Sequence, residues 1–459
     1  MIREPSSFRD PAGYLFWKDN RIFRAISHDY FQVYRAVSEA RFFKSLCEQK
    51  KIIGFTEKTP AKFSELPEDI SLVLIPEMLP FISYPYEWSF SQLKDAALLT
   101  LDLHISALKE GFLLKDASSY NIQFMYGKPV FIDHLSFEKC DKYPIWPAYG
   151  QFCRHFLAPL VLMSKVDPCL GKTLQQHIDG IPLSLACKLL PLRRFLAFGL
   201  FIHLFCHAKT QKKYAQKDLG DKKLKKLSPF QMLNIARSLR QTVSGLQWKP
   251  KGTEWGEYYR ITNYSDKAMH HKMSMIAEYV SGIPGVKMLW DFGANTGEMS
   301  RCVKQYAANI ICFDVDEAAV EKNYLQVKVN RETNILPLVM DFKNPSPSIG
   351  FASEERLSLS DRGKTDCGLA LALIHHLAIT NNLPFRHVAK YFSSLCKYLI
   401  IEFVPKEDSQ VQRLLQSRED IFPKYDLENF KKEFCIYFEI VQQKTIFDSR
   451  RTLFLMKKK

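Results

Sequence analysis

The sequence predicts a two-part α/β chain. A parallel, seven-stranded sheet closed by a terminal hairpin is expected over residues 250–459, preceded by an α+β domain over residues 1–245. Three observations lead there. From about Trp255 onward, short apolar runs alternate with helical patterns, the mark of a parallel sheet with crossover helices. A lysine-dominated stretch, "KTQKKYAQKDLGDKKLKKLS" (Lys209 to Ser228), divides the chain as a linker or exposed loop does. The length, 459 residues, exceeds one ordinary core, since domains average roughly 150 residues.

Taken in order, "AGYLFWKDNRIFRAIS" reads as a hairpin and "DYFQVYRAVSEARFFKSLCEQ" as helix. The strand-like "SLVLIPEML" leads to the helix "SFSQLKDAALLTLDLHISALKEG", which Ser89 or Ser91 caps and Gly111 ends. "YNIQFM" and "KPVFID", on either side of Tyr126-Gly127, read as a second hairpin. Apolar helices follow around "YGQFCRHFLAPLVLM" and "LACKLLPLRRFLAFGLFIHLFCHA". The longest apolar stretch, Phe195 to Ala208, falls short of the roughly 20 residues of a membrane span. In the carboxyl half the strands are "KMLWDFG", "NIICFDV", "ILPLVMDF", "CGLALAL" and "YLIIEFV", giving five strand–helix units. "IYFEIVQQKTI" and "RTLFLMK" then form the closing hairpin.

Composition bounds the class. A hydrophobic share of 46% and an aromatic share of 13% belong to a packed globular protein and exclude a disordered one. The net charge of +15 favours anionic partners, although a solvated basic face accounts for it equally well. The eleven cysteines form no C-x-x-C pair and lie mostly in apolar runs. That predicts small buried hydrophobes in a reducing cytoplasm, with neither disulfides nor zinc. The opening "MIREPSSFRDPAG" has no apolar core of a secretory signal.

The first carboxyl-half strand delivers "WDFGANTGEMS". A strand ending at Asp291 and a turn of small residues, Gly293 to Gly297, suit a ligand whose tail lies against the backbone, where a Cβ would clash. Asn295 stands where glycine is usual, and Asn tolerates the left-handed conformation. Asp314 falls about 20 residues later, at the end of the next strand, where an acid grips ribose hydroxyls.

Together "DFGANTG", "FDVD", "VMDF" and "LALIHHL", with the closing hairpin, resemble the motifs of class I S-adenosylmethionine-dependent methyltransferases, a Rossmann-like fold. The resemblance implies that Asp291 and the Gly293, Asn295 and Gly297 backbone hold the methionine moiety of S-adenosylmethionine. It places Asp314 on the ribose, Asp341 on the adenine amino group and Phe342 against the ring. The substrate-facing position is "ALIHHL", where base-directed amino methyltransferases carry [DN]-P-P-[YF]; a DNA adenine methyltransferase is therefore disfavoured. His375 or His376 is a general-base candidate, set against one capping a helix and the other packing. Segments flanking the first and fifth strands add Tyr258, Tyr259, Thr262, Tyr264, Glu402, Lys406 and Asp408 as substrate-side candidates.

In the amino half, Asp116, Asn121 and Asp133 resemble the D-x-x-x-x-N and metal-binding Asp of kinase-like folds. That implies a catalytic base at Asp116, with Asn121 and Asp133 as ligands of Mg²⁺ beside ATP. Leu114 replaces the usual histidine, "Asp133-His134-Leu135" replaces D-F-G, and no G-x-G-x-x-G precedes them. Arg24 in "FRAIS" stands where a phosphate-pairing lysine would. The alternative is a loop organised by Asp116, Ser118 and Asn121 through side-chain hydrogen bonds. Long runs in order, from "LPFISYPYEWSFSQLKDAALLTL" to "WDFGANTG", also resemble a bacterial NoeA-like family of methyltransferases, related to a nodulation host-specificity protein. The expected activity is thus methyl transfer to an unidentified acceptor, a small molecule or glycan presented with help of the N-terminal domain. RNA or protein methylation through the basic surface and a bifunctional enzyme with a phosphotransferase or nucleotide-binding N-terminal domain are the alternatives.

Overall fold

Asp19 (φ 48°) and Asn20 (φ 57°) supply the left-handed pair that a two-residue hairpin turn requires. They join β2 (Gly13–Lys18) to β3 (Arg21–Ser27). The computed structural model describes residues 1–63, 65–191, 198–209, 226–250, 264–416 and 419–459. The chain divides into two units, Met1–Lys249 with Ser348–Arg356, and Pro250–Pro347 with Leu357–Lys459.

In the first unit β1 (Ile2–Arg3), β2, β3, β4 (Phe55–Lys58) and β5 (Ile70–Pro76) form an antiparallel sheet in the order β1-β2-β3-β5-β4. Helices His28–Glu39 and Arg41–Glu48 are inserted between β3 and β4. Phe16, Phe23 and Phe63 pack on the sheet at ring separations of 5.2 to 5.8 Å. Such aromatic contacts each bury a large apolar area. The helix Phe90–Leu108 starts at the expected Ser89, where Gln92 Oε1 accepts from the Ser89 N–H at 3.0 Å in a capping box. Twelve of its nineteen residues are buried, and Lys94, Asp95 and Asp102 lie on the less buried side.

Beyond it, β6 (Phe112–Leu114) pairs with β9 (Phe137–Lys139). Between them, β7 (Ile122–Met125) and β8 (Lys128–Phe131) form the predicted hairpin. Its turn is Tyr126 (φ 53°) and Gly127 (φ 71°). The expected helix "YGQFCRHFLAPLVLM" is interrupted by a wide π turn, Cys153–Leu157, just before Pro159, which supplies no N–H to the ladder. The next apolar segment contains helix Leu183–Leu189 and a second helical stretch from Phe198 to Cys206. Most of the lysine-rich stretch lies outside the described residues.

The second unit contains the predicted seven-stranded sheet, in the order β12-β11-β10-β13-β14-β16-β15. The strands are β10 (Met288–Phe292), β11 (Asn309–Asp314), β12 (Ile335–Val339), β13 (Thr365–Ala370), β14 (Cys396–Phe403), β15 (Phe438–Thr445) and β16 (Thr452–Lys458). β10 to β14 run parallel, and β16 enters antiparallel between β14 and β15. One face packs Leu289, Ile310, Leu369, Ile400 and Leu455 against helix Asp266–Ser281. Trp290, Phe292, Phe313 and Phe392 form an aromatic layer on the sheet.

The expectation of five strand–helix units is corrected at one crossover. Between β12 and β13 the connection has no α-helix and only the short 3₁₀ turn Phe351–Ser353. The residues there, "KNPSPSIGFASEERLSLSDRGK", are rich in Pro, Ser and Gly and have no apolar stripe to bury. Ser348–Arg356 of this connection belong to the first unit, where Glu355 is buried and pairs with Arg9 Nη2 at 2.5 Å. Among the described residues no helix is long and apolar enough to cross a membrane.

Candidate functional site

Strand order decides where a ligand can enter. β11 and β12 lie on one side of β10 while β13 and β14 lie on the other, so the loops after β10 and β13 diverge. Open α/β sheets bind ligands at such a switch point, outside the carboxyl ends of the strands. The turn Gly293–Gly297 follows β10, and Leu371–His376 follows β13. They adjoin: a Cβ built on Gly293 would lie 3.5 Å from Leu373 Cδ1.

The turn is held by backbone and by acids. Gly293 and Ala294 N–H groups donate to Phe313 O at 2.9 and 2.8 Å. Gly293 (φ 83°), Asn295 (φ 49°) and Gly297 (φ 81°) all lie in the left-handed region, as their residue types allow. At Gly297 a Cβ would meet Arg301 Nη1 and Asn323 Nδ2 at 2.6 Å. Arg301 itself braces the turn, donating to Thr296 O at 2.6 Å and to Asn323 Oδ1 and Glu332 Oε2 at 2.9 Å. Sequence reasoning missed this brace, since its partners are 22 and 31 residues away.

Asp314, at the end of β11, accepts from the Asn295 N–H at 2.7 Å and the Asp316 N–H at 2.9 Å. Burial raises its carboxyl to about 6, against the pull of those two N–H groups. Asp291 is 1% exposed. Its sole hydrogen-bond donor among the described residues is Ser300 Oγ, at 2.7 Å. Burial pushes it up to about 7; Ser300 opposes, and Asp314 adds to the rise. A buried carboxylate without an ion partner calls for a cation. The ammonium of an amino-acid moiety fits that demand.

Asp341 and Phe342 follow β12. The Phe342 ring stands edge-on to Phe292 at 4.9 Å and Phe313 at 5.6 Å. Asp341 is partly exposed and accepts from the Lys343 N–H at 3.0 Å. Four of the predicted elements (the glycine turn, Asp291, Asp314 and the Asp341–Phe342 pair) are thus carried at or just beyond the carboxyl ends of three adjacent strands.

After β13, Ala372 adopts φ 48°, a conformation that costs a non-glycine residue about 1–2 kcal/mol. Its N–H donates to Glu402 Oε2 at 2.9 Å. Glu402, expected on the substrate side, has no exposure and is fully engaged. Lys272 Nζ lies 2.6 Å from Oε2, the Tyr264 hydroxyl donates to Oε1, and Arg451 Nη1 lies 3.4 Å from Oε1. Burial would raise this carboxyl, but Lys272 and Arg451 bring it down to about 2. Lys272 and Arg451 carried no sequence signal, because each pairs with a residue far away in the sequence. Tyr258, Tyr259 and Thr262 lie outside the described residues.

His375 and His376 lie in contact, with ring centroids 4.2 Å apart and planes tilted by 39°. His375 is 2% exposed, and its Nδ1 has no hydrogen-bond partner among the described residues. Burial, then His376, Arg451 and Lys272, hold it well below the ordinary histidine range. His376 is lowered to about 4 by burial and Arg451. Both rings are therefore neutral at physiological pH, with a free nitrogen at His375.

In the first unit Asp116, Asn121 and Asp133 do converge. Asp116 Oδ1 accepts from Gln151 Nε2 at 2.8 Å and the Ser118 N–H at 2.9 Å. Asn121 Nδ2 reaches Ser136 Oγ at 3.5 Å. Asp133 accepts from the Leu135 N–H, the Ser136 hydroxyl and Arg24 Nη2, the last at 3.2 Å. Arg24 also pairs with Asp10, so its guanidinium bridges two carboxylates. Although burial works to raise it, Arg24 and Ser136 hold the Asp133 carboxyl below its usual range, while burial and Asp133 raise Asp116. Among the described residues no three His, Cys, Asp or Glu side chains are grouped to hold a metal.

No family model matches the chain. Nodulation protein NoeA of Rhizobium meliloti (strain 1021) is 35% identical over 457 residues, which cover 98% of this chain and 95% of that protein. Among solved structures, N-methyltransferase NodS of Bradyrhizobium japonicum WM9 with S-adenosyl-l-homocysteine has a TM-score of 0.33 and 10% identity, over 44% of this chain and 91% of that one. Magnesium protoporphyrin IX methyltransferase (ChlM) of Synechocystis PCC 6803 has a TM-score of 0.30 and 15% identity, over 44% and 93%.

Proposed function

The chain belongs to the family of nodulation protein NoeA, and from that premise we propose that its second unit is an S-adenosylmethionine-dependent methyltransferase. One observation carries the reading. A seven-stranded sheet with its last strand antiparallel presents a left-handed small-residue turn and the acid Asp314 on neighbouring strands at the switch point. The cofactor supplies an activated methyl group on a sulfonium. The Gly293–Gly297 backbone and Asp291 would seat its amino-acid end, Asp314 its ribose, and Asp341 with Phe342 its adenine.

Methyl transfer needs alignment above all, and holding reactants in line supplies most of the effect. His375, buried, neutral and with an unpaired Nδ1, would orient the acceptor by a hydrogen bond, since burial and the nearby Arg451 and Lys272 disfavour its protonated form; His376 packs beside it. We place the acceptor among small molecules or glycans, presented with help of the first unit in the cytoplasm. RNA or protein methylation through the basic surface is the rival. The test is transfer of labelled methyl from S-adenosylmethionine into a cell extract separated into small-molecule, glycan, lipid, RNA and protein pools. Label is expected in the small-molecule or glycan pool. Label confined to RNA or protein selects the rival, and no label in any pool with folded protein sinks the enzyme reading.

A kinase-like origin for the first unit is supported by its five-stranded antiparallel sheet with inserted helices and by the hairpin that separates Asn121 from Asp133. Arg24 bridging Asp10 and Asp133 puts a fixed cation where such folds use a metal, which favours a binding platform over phosphoryl transfer. Accordingly, ATP with Mg²⁺ is expected to raise the melting temperature of the full chain by less than about 1 °C. A shift of several degrees, abolished by Asp133→Asn, would restore the bifunctional reading.

A further inference from the structure

Glu402 is a buried, fully engaged side chain near the switch point, and nothing in the cofactor reading uses it. Each of its oxygens has two donors: Tyr264 and Arg451 on one, Lys272 and the Ala372 N–H on the other. The donors come from four places in the sequence. Tyr264 precedes, and Lys272 lies within, the helix Asp266–Ser281; Ala372 follows β13; Arg451 directly precedes β16. Arg451 is fixed in turn by Asp408, at 2.7 Å from Nε and 3.0 Å from Nη2. Asp408 also accepts from the Gln410 N–H at 2.9 Å and so starts the helix Ser409–Leu415.

Two acids and two bases balance within this group, so it does not serve to attract a charged ligand. The Ala372 N–H ties it to the loop after β13, at a residue held in the left-handed region without being glycine. Three residues on stands His375, buried with an unpaired ring nitrogen. A strained residue persists where its surroundings over-determine it, and such sites gather at functional loops.

We propose that Glu402 is a positioning residue: held by Lys272, Arg451 and Tyr264, it fixes the Ala372 turn and thereby the placement of His375 toward the methyl acceptor. This rests on the methyltransferase reading above. Glu402 touches neither cofactor nor acceptor and acts through the loop. A shift of about 1 Å in such a group is enough to lower turnover about a hundredfold.

The test uses the full chain with two variants. Lys272→Met combined with Glu402→Gln removes one charge of each sign and leaves the Arg451–Asp408 pair in place. Tyr264→Phe removes one donor to Glu402 and, with it, an acceptor of Arg451 Nη1, and keeps the protein's charge and nearly its volume. Affinity for S-adenosylmethionine is read by calorimetry, and kcat and KM for it by labelled-methyl transfer into extract at fixed concentration. The double variant is expected to bind S-adenosylmethionine within about threefold of wild type and to lose about thirtyfold or more in kcat. Tyr264→Phe is expected to lose about three- to tenfold in kcat with KM unchanged. Unchanged kcat in both variants, with only the melting temperature lowered, makes the network structural and overturns the inference. Loss of cofactor affinity in Tyr264→Phe overturns it too, by moving Glu402 into the cofactor site. Wild-type protein that neither binds S-adenosylmethionine nor transfers label removes the methyltransferase reading itself, and this inference with it.

Discussion

Asp314→Ala protein is expected to bind S-adenosylmethionine at least about a thousandfold more weakly than wild type, a loss of about 4 kcal/mol. Two effects add. The carboxylate is the acceptor proposed for the ribose hydroxyls, and hydrogen bonds to a charged group contribute about 1.5–3 kcal/mol each. The same carboxylate accepts from the Asn295 N–H at 2.7 Å and the Asp316 N–H at 2.9 Å. Its removal therefore also releases the turn that would carry the cofactor's tail. Asp314→Asn keeps an acceptor but turns an amide NH₂ toward one of those N–H groups. It is expected to fall between, at about thirty- to a hundredfold. Calorimetric titration with S-adenosylmethionine measures both, with melting curves to establish that each variant is folded. An alanine variant that binds within tenfold of wild type would take Asp314 out of the site.

How much of this was legible in the sequence follows from the range of the interactions. The glycine turn, Asp314 and the hairpin at Tyr126-Gly127 are local: residue type, backbone conformation and spacing along one or two elements suffice to place them. The five parallel strands of the second unit were legible for the same reason, since each lies in a contiguous, largely apolar run. What could not be read was pairing between side chains distant in the sequence. Glu402 looked like a substrate-side acid because it ends a strand, yet Lys272 and Arg451, 130 and 49 residues away, occupy it. Arg24 stood in the sequence as an analogue of a phosphate-pairing lysine, and its place between Asp10 and Asp133 became visible only when β3 and the loop after β8 came together. The missing helix before β13 was legible in principle, for the segment has no apolar period, but the regular alternation on either side concealed it.

Asp291 gives the second large effect, on pH. Its buried carboxyl lies at about 7 against an ordinary 3.8, with Asp314 adding to the rise and Ser300 and Lys272 opposing it. A carboxyl raised on folding binds more protons in the folded state. The stability it contributes is complete below about pH 3.8 and is lost as pH rises through about 7. Asp291→Asn removes that loss, and above pH 7 the ligand-free protein is expected to gain up to about 4 kcal/mol of stability. Cofactor binding should show the opposite trend. An ammonium facing Asp291 requires the ionised form, so binding below pH 7 must expel a proton. Affinity for S-adenosylmethionine is then expected to rise by up to about tenfold per pH unit between pH 5 and 7 and to level off above it. Asp291→Asn should flatten the profile between pH 6 and 7 while weakening binding at pH 8, and Asp314→Asn, which removes a second carboxyl raised to about 6, should reduce the slope chiefly below pH 6. Titrations from pH 5 to 8 in two buffers of different ionisation enthalpy would count the proton directly. A wild-type affinity that is flat over this range, with no proton released, would mean that Asp291 does not face the ligand's cation.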